Sequence, residues 1–200
     1  MLERVAPDLL ANLQTRHAEP QRHYHDWTHI EALLGHMQRL GDEIEDADSV
    51  LYAILFHDAI YDPKAADNER QSAELLLSMA PQIASHSLAL AHRMILATEG
   101  HRLVEGSQAE RQDIGLFLDM DLAILGAEKA RFDIYEGQIR REYSHVPDDA
   151  FRKGRAAVLL GFQARETLYF SDWGRDRFED AARANIDRSI TLLQGPDRPG

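Results

Sequence analysis

The sequence predicts an all-α protein, and three observations carry that expectation. Apolar residues recur at three- and four-residue spacing along nearly the whole chain. Strand-like alternation over a run of Val, Ile or Thr is hard to find. Residues that start or stop helices, among them Pro20, Pro81, Gly100 and the Ser107–Glu110 pair, fall between the periodic stretches.

The elements follow in order. A first helix is expected over about Pro7 to Glu19, stopped by Pro20, and a second from about Asp26 to Leu40. A third, "DSVLYAILFHDAIY", runs from Asp48 to about Tyr61; the loop "YDPKAAD" then interrupts the pattern before "NERQSAELLLSMA" resumes it up to Pro81. A fifth helix spans Ser85 to Thr98, with Gly100 as its terminator. Ser107 and Glu110 have the spacing of a capping box, which starts a helix carrying "DIGLFLDMDLAIL" as far as Gly126. Three more are expected over about Ala127 to Tyr143, Asp148 to Phe170 and Arg175 to Leu193.

A chain of 200 residues, 44% of them hydrophobic, can bury a real core and is short enough for one domain. No repeat or linker divides it, so the expectation is an N-terminal helix (residues 1–20) packed on a helical domain (21–193), with a frayed tail (194–200). The absence of cysteine excludes disulfides, thiolate metal sites and cysteine nucleophiles, so any metal must be held by nitrogen and oxygen. A net charge of -12 argues against a nucleic-acid or anionic-membrane surface, but not against a small phosphorylated substrate, because a bound cation reverses the local charge. No apolar run approaches the roughly 20 residues needed to span a bilayer. The N-terminus lacks the basic start and apolar block of a signal peptide, so a cytoplasmic location is expected.

Three stretches could carry chemistry. In "RHYHDWTHI" (22–30), His25 and His29 are four residues apart and can share a helix face. His57-Asp58 closes the almost wholly apolar "VLYAILF", so the pair enters an interior or a cleft. An ionised carboxylate beside an imidazole there needs a partner, and two readings stand: a structural hydrogen-bonded pair or two adjacent metal ligands. In "LFLDMDLAILG", Asp119 and Asp121 interrupt an apolar helix about 200° apart, so only one can face a small site. His29, His57, Asp58 and one of these aspartates make a two-histidine, two-carboxylate set that suits a first-row divalent ion with open positions.

In its order, a histidine, then His-Asp, then a distant aspartate, the chain resembles the HD superfamily of metal-dependent phosphohydrolases. "YHDWTHI" is similar to the "YHN..H" segment of that superfamily's cyclic-nucleotide phosphodiesterases, and "DLAIL" (121–125) to their "DLSAI"-like run. "FHDAIYDP", "DNERQSA", "DMDLAILG", "IRREY" and "ARANI" look like signatures of a family of small predicted HD phosphohydrolases, over about residues 21 to 190. The resemblance implies an HD-type helical bundle with His29, His57, Asp58 and Asp121 as metal ligands. It implies that His25 donates the proton to the leaving group, and it leaves Asp119 as a carboxylate behind the ligands. The phosphodiesterase nucleotide pocket has no recognisable counterpart, so cyclic nucleotides are not implied.

The implied reaction is hydrolysis of a nucleotide, phosphomonoester or pyrophosphate, with Mn, Fe, Co, Ni, Mg or Zn as the ion. Glu69 could orient the attacking water, or could simply be a carboxylate favoured at a helix N-terminus. His101, in "ATEGH", could be a substrate contact, a further ligand or a surface residue. Arg22, Arg140 and Arg155 are candidate phosphate clamps, each with an alternative as a solvated helix charge. Trp27 is expected as packing beside the site. His17, His23, His36, His86, His92 and His145 are expected at the surface or satisfied within the fold. Two rival functions are a two-iron oxygenase of the same fold, which needs additional histidine ligands, and a metal- or ligand-binding regulatory module without catalysis.

Overall fold

A computed structural model describes residues 1–80 and 82–195 of the chain. Its described residues are helical and contain no strand. Nine α-helices follow one another: α1 Pro7–His17, α2 Trp27–Leu40, α3 Ala47–Phe56, α4 Asn68–Met79, α5 Ser85–Thr98, α6 Gln108–Leu122, α7 Lys129–Glu142, α8 Asp148–Gln163 and α9 Asp172–Gln194. Most of the expected tail, residues 196–200, lies outside the described residues, as does Pro81. No helix among the described residues is long and apolar enough to cross a membrane.

The chain divides into two compact units, one from Met1 to Asp121 and one from Leu122 onward. In the first, α3 is the central element: every residue from Ser49 to Phe56 is buried, and α2, α4 and α5 pack around it. Leu33, Leu76, Met94 and Phe117 join that core with at most 1% exposure. Burial of this kind supplies roughly 1.5–3 kcal/mol per large apolar side chain, which is why a helix with no polar face is placed here. In the second unit α8 and α9 pack together, and α9 also covers the 3₁₀ turn Ala123–Gly126.

Local chemistry sets the boundaries. Asp26 caps α2 by accepting from the Thr28 amide, and Ser171 caps α9 by accepting from the Gly174 amide. The capping box forms: the Glu110 amide donates to Ser107 Oγ and the Ser107 amide to the Glu110 carboxylate. α6, expected as far as Gly126, gives way at Leu122 to the 3₁₀ turn Ala123–Gly126, and two other helices also end earlier than their periodicity predicts. α3 stops at Phe56 rather than Tyr61, because side chains from elsewhere satisfy the backbone beyond it. Arg22 donates to the Asp58 and Ala59 carbonyls, and Ser72 Oγ accepts from the Ile60 amide. α8 stops at Gln163 rather than Phe170 for the same reason. The Glu179 carboxylate accepts the Leu168 and Tyr169 amides, and Arg183 and Arg175 donate to carbonyls from Gln163 to Phe170. Apolar spacing continues through such segments, so periodicity alone extends the helix too far.

Candidate metal centre

The site belongs to the first unit and is assembled from the start of α2, the end of α3 and the last turn of α6. His29 sits in the first turn of α2, just after the Asp26 cap. His57 closes α3, and its Nδ1 donates to the Ile54 carbonyl at 2.9 Å. A carbonyl can only accept, so Nδ1 carries the hydrogen and Nε2 is the atom turned to the site, the tautomer that a metal ligand needs.

Three ligand atoms converge. His29 Nε2 lies 3.1 Å from His57 Nε2 and 3.1 Å from Asp121 Oδ1, and His57 Nε2 lies 3.6 Å from the same oxygen. Nitrogen and oxygen donors bound about 2.0–2.2 Å from a common ion are about 2.8–3.6 Å apart at adjacent corners of an octahedron or tetrahedron. The spacing therefore matches one coordination sphere, and His29, His57 and Asp121 form a group that could hold a metal ion. Asp58 borders it, with Oδ2 3.0 Å from His57 Nε2 and 3.8 Å from His29 Nε2. Two imidazoles with carboxylate suit a first-row divalent cation.

The electrostatics are those of a cation-binding group. Burial pushes the His57 pKa down, but the Asp58 and Asp121 carboxylates outweigh it and hold the imidazolium well above the usual histidine range. Burial raises Asp58, yet the charges of His57 and His25 bring it below the ordinary carboxylate range. Asp121 is raised by burial and held well below that range by hydrogen bonds from His101, His29 and His57. Without a metal, a proton on the His57 imidazole supplies positive charge beside these carboxylates.

The other candidates take distinct places. The His25 ring lies tilted against the Tyr61 ring at 4.3 Å, meets Tyr24 edge-on at 5.0 Å and lies 6.1 Å from the His29 ring. His101 reaches the group from beyond α5: its Nε2 is 2.8 Å from Asp121 Oδ2, the oxygen turned away from the two histidines. Asp119, about 200° round α6 from Asp121, is fully buried. Glu69 lies half-buried in the first turn of α4 and is not part of the ligand group.

The arginines are engaged with protein groups. Arg22, considered as a phosphate clamp, has a fully buried side chain. It donates to the His25, Asp58 and Ala59 carbonyls at 3.0, 2.7 and 3.3 Å and to the Glu19 carboxylate at 3.1 Å. Its five donors in a rigid fork match carbonyls released where α3 ends, so it shapes the backbone beneath the site. Arg140 and Arg155 belong to the second unit. Arg140 pairs with Asp148 and with the Tyr143 and Val146 carbonyls. Arg155, half-buried, pairs with the Glu136 carboxylate and donates to the Tyr135 hydroxyl.

His17 departs most from expectation. It is 1% exposed; Nδ1 donates to the Leu13 carbonyl at 2.9 Å, while the buried Nε2 has no hydrogen-bond partner among the described residues. Its ring meets Trp27 edge-on at 5.7 Å, and burial pushes its pKa down to about 4. The available signal was its spacing: Leu9, Leu13 and His17 follow one another at four-residue intervals on the apolar stripe of α1.

Comparison with protein-family models, curated proteins and solved structures finds no match for this chain.

Proposed function

We propose that this chain is a metal-dependent phosphohydrolase, of the HD kind that its motifs resemble, acting on a small phosphorylated substrate. His29, His57, Asp58 and Asp121 would hold a divalent cation such as Mn, Fe, Co, Ni, Mg or Zn. The observation that carries the reading is the convergence of His29 Nε2, His57 Nε2 and Asp121 Oδ1 at ligand spacing, with Asp58 Oδ2 beside them. When bound, such a cation polarises a phosphoryl oxygen and lowers the pKa of a coordinated water.

The remaining steps belong to the chain. His25, fixed between Tyr24 and Tyr61, is the imidazole next to His29 that does not enter the ligand group, and it serves as proton donor to the leaving oxygen. Tyr24 and Tyr61, both buried, hold the donor ring in place. Arg22 holds the His25, Asp58 and Ala59 carbonyls together and so keeps acid and ligands in register. The ligand group found among the described residues, His29, His57 and Asp121, has the size of a one-cation site, which supports the hydrolase reading.

The test is phosphate release by the Mn²⁺-loaded chain from a panel of nucleotides, sugar phosphates and pyrophosphate, beside His57→Ala and Asp58→Ala. Both substitutions should remove metal and lower turnover by about 100-fold or more. Retention of metal and turnover in both would overturn the site. Metal binding by the unaltered chain with no hydrolysis of any panel member would turn the reading to a regulatory module.

A further inference from the structure

His101 combines two features that have no reason to coincide. Among the described residues it is the one non-glycine with positive φ, at 44°. The backbone around it explains the position. The Arg102 amide donates to the Ala97 carbonyl at 3.3 Å and the His101 amide to the Thr98 carbonyl at 3.4 Å. These are the two bonds of a Schellman motif, and they place His101 in the left-handed seat after the cap, where glycine is the usual occupant. Gly100, directly before it, is not in the left-handed region. A register shift of one residue would put glycine in the seat and remove the strain that a Cβ suffers there.

The second feature is the use of the side chain. From this seat the imidazole reaches Asp121 Oδ2 at 2.8 Å, while Oδ1 of the same carboxylate faces His29 and His57 at 3.1 and 3.6 Å. An ionised carboxylate only accepts, so Nε2 of His101 donates, and one oxygen is fixed to leave the other aimed at the ligand group. The carboxyl of an aspartate is otherwise free to swing about a broad terminal torsion.

We infer that His101 is a positioning residue for the ligand group: its imidazole, carried in a strained left-handed seat, locks the Asp121 carboxylate so that Oδ1 stays on the His29–His57 side. The inference rests on the metal reading above and adds what orients one ligand. It separates His101 from the ligands themselves and makes the strain at the end of α5 part of the site.

The experiment uses the full chain, stripped of metal, and compares the unaltered protein with His101→Ala, His101→Gly and His101→Gln by Mn²⁺ calorimetry and by thermal unfolding without metal. Alanine and glycine both remove the donor, so both should weaken Mn²⁺ binding by about 10–100-fold, with one ion per chain throughout. Glycine relaxes the backbone where alanine does not, so the metal-free Tm of His101→Gly should exceed that of His101→Ala by about 2–4 °C. Glutamine carries an N–H near the position of Nε2 and should recover most of the affinity while keeping the strain. Affinities for alanine and glycine within twofold of the unaltered chain would overturn the inference, as would failure of glutamine to recover any. A fall in stoichiometry from two ions to one would make His101 a ligand. Absence of Mn²⁺ binding by the unaltered chain would defeat the metal reading first, and this inference with it.

Discussion

A buried neutral histidine makes a protein labile to mild acid, and His17 allows the size of that effect to be worked out. Its pKa is lowered from 6.5 to about 4, chiefly because burial disfavours the imidazolium. The unfolded chain binds the proton more readily than the folded one, so the contribution is fully present above pH 6.5 and is lost as pH falls from 6.5 toward 4. Integrating the linkage relation over those two values gives a loss of about 1.4 kcal/mol by pH 5.5 and about 2.6 kcal/mol by pH 4.5, relative to neutral pH. The perturbation is His17→Leu, which keeps a side chain of similar size, removes the titrating group and gives up one hydrogen bond to the Leu13 carbonyl. Urea unfolding in the presence of chelator, followed by circular dichroism at pH 7.5, 6.5, 5.5 and 4.5, compares the two proteins. At pH 7.5 they should differ by no more than about 1 kcal/mol, since the leucine also removes a desolvated nitrogen without a partner. The unaltered protein should then lose stability faster than the variant by the amounts given. Other acidic groups contribute equally to both and cancel. Parallel pH profiles for the two proteins would refute the reasoning.

Four further outcomes are expected. His57 is held well above the usual histidine range in the metal-free chain, so Mn²⁺ binding at neutral pH should release close to one proton and tighten as pH rises; calorimetry in buffers of different ionisation enthalpy measures this, and no release would contradict it. The same raised pKa means that protonated His57 stabilises the metal-free fold below the unfolded value of 6.5, a contribution lost as pH rises through the folded pKa. Arg22→Ala takes this donor from the His25, Asp58 and Ala59 carbonyls beneath the site and should cost about 3 kcal/mol or more in denaturant unfolding. Gly126→Ala would place a Cβ 2.6 to 2.8 Å from Phe178, two of the three nearest atoms being backbone, and should lower stability by about 2 kcal/mol or more, read as a fall in Tm.

What the sequence made legible was local or periodic. The α5 boundaries, the Ser107–Glu110 box and the Asp26 start of α2 depend on residues within one turn of each other, so spacing suffices. His57 and Asp121 were legible as polar residues set in apolar helices and His29 by its four-residue spacing from His25, the choice of Asp121 over Asp119 resting on the motif resemblance; the three do come together. What escaped depends on chain segments far apart in sequence. Neither the halt of α3 at Phe56 nor the burial of Arg22 can be read without knowing that residue 22 lies under residues 58 and 59. The early end of α8 needs Glu179, Arg183 and Arg175, all from the following helix. His101 was visible as a histidine after Gly100, but its left-handed seat is a matter of backbone register that two adjacent residues could equally have occupied.

The Arg22 clamp also bears on how the site fluctuates. It ties the 22–25 segment to a turn 36 residues farther along the chain, and its guanidinium has no access to water that could replace those carbonyls. Opening of either segment alone leaves donors of a buried charge unmatched, which couples the two and raises the cost of exposing either one. Local breathing, which ordinarily frays loops and helix ends, is thereby suppressed at the place where His57 and Asp58 must hold their spacing. Little conformational entropy then remains to be lost when a cation arrives, so the donors are preorganised for it before it binds.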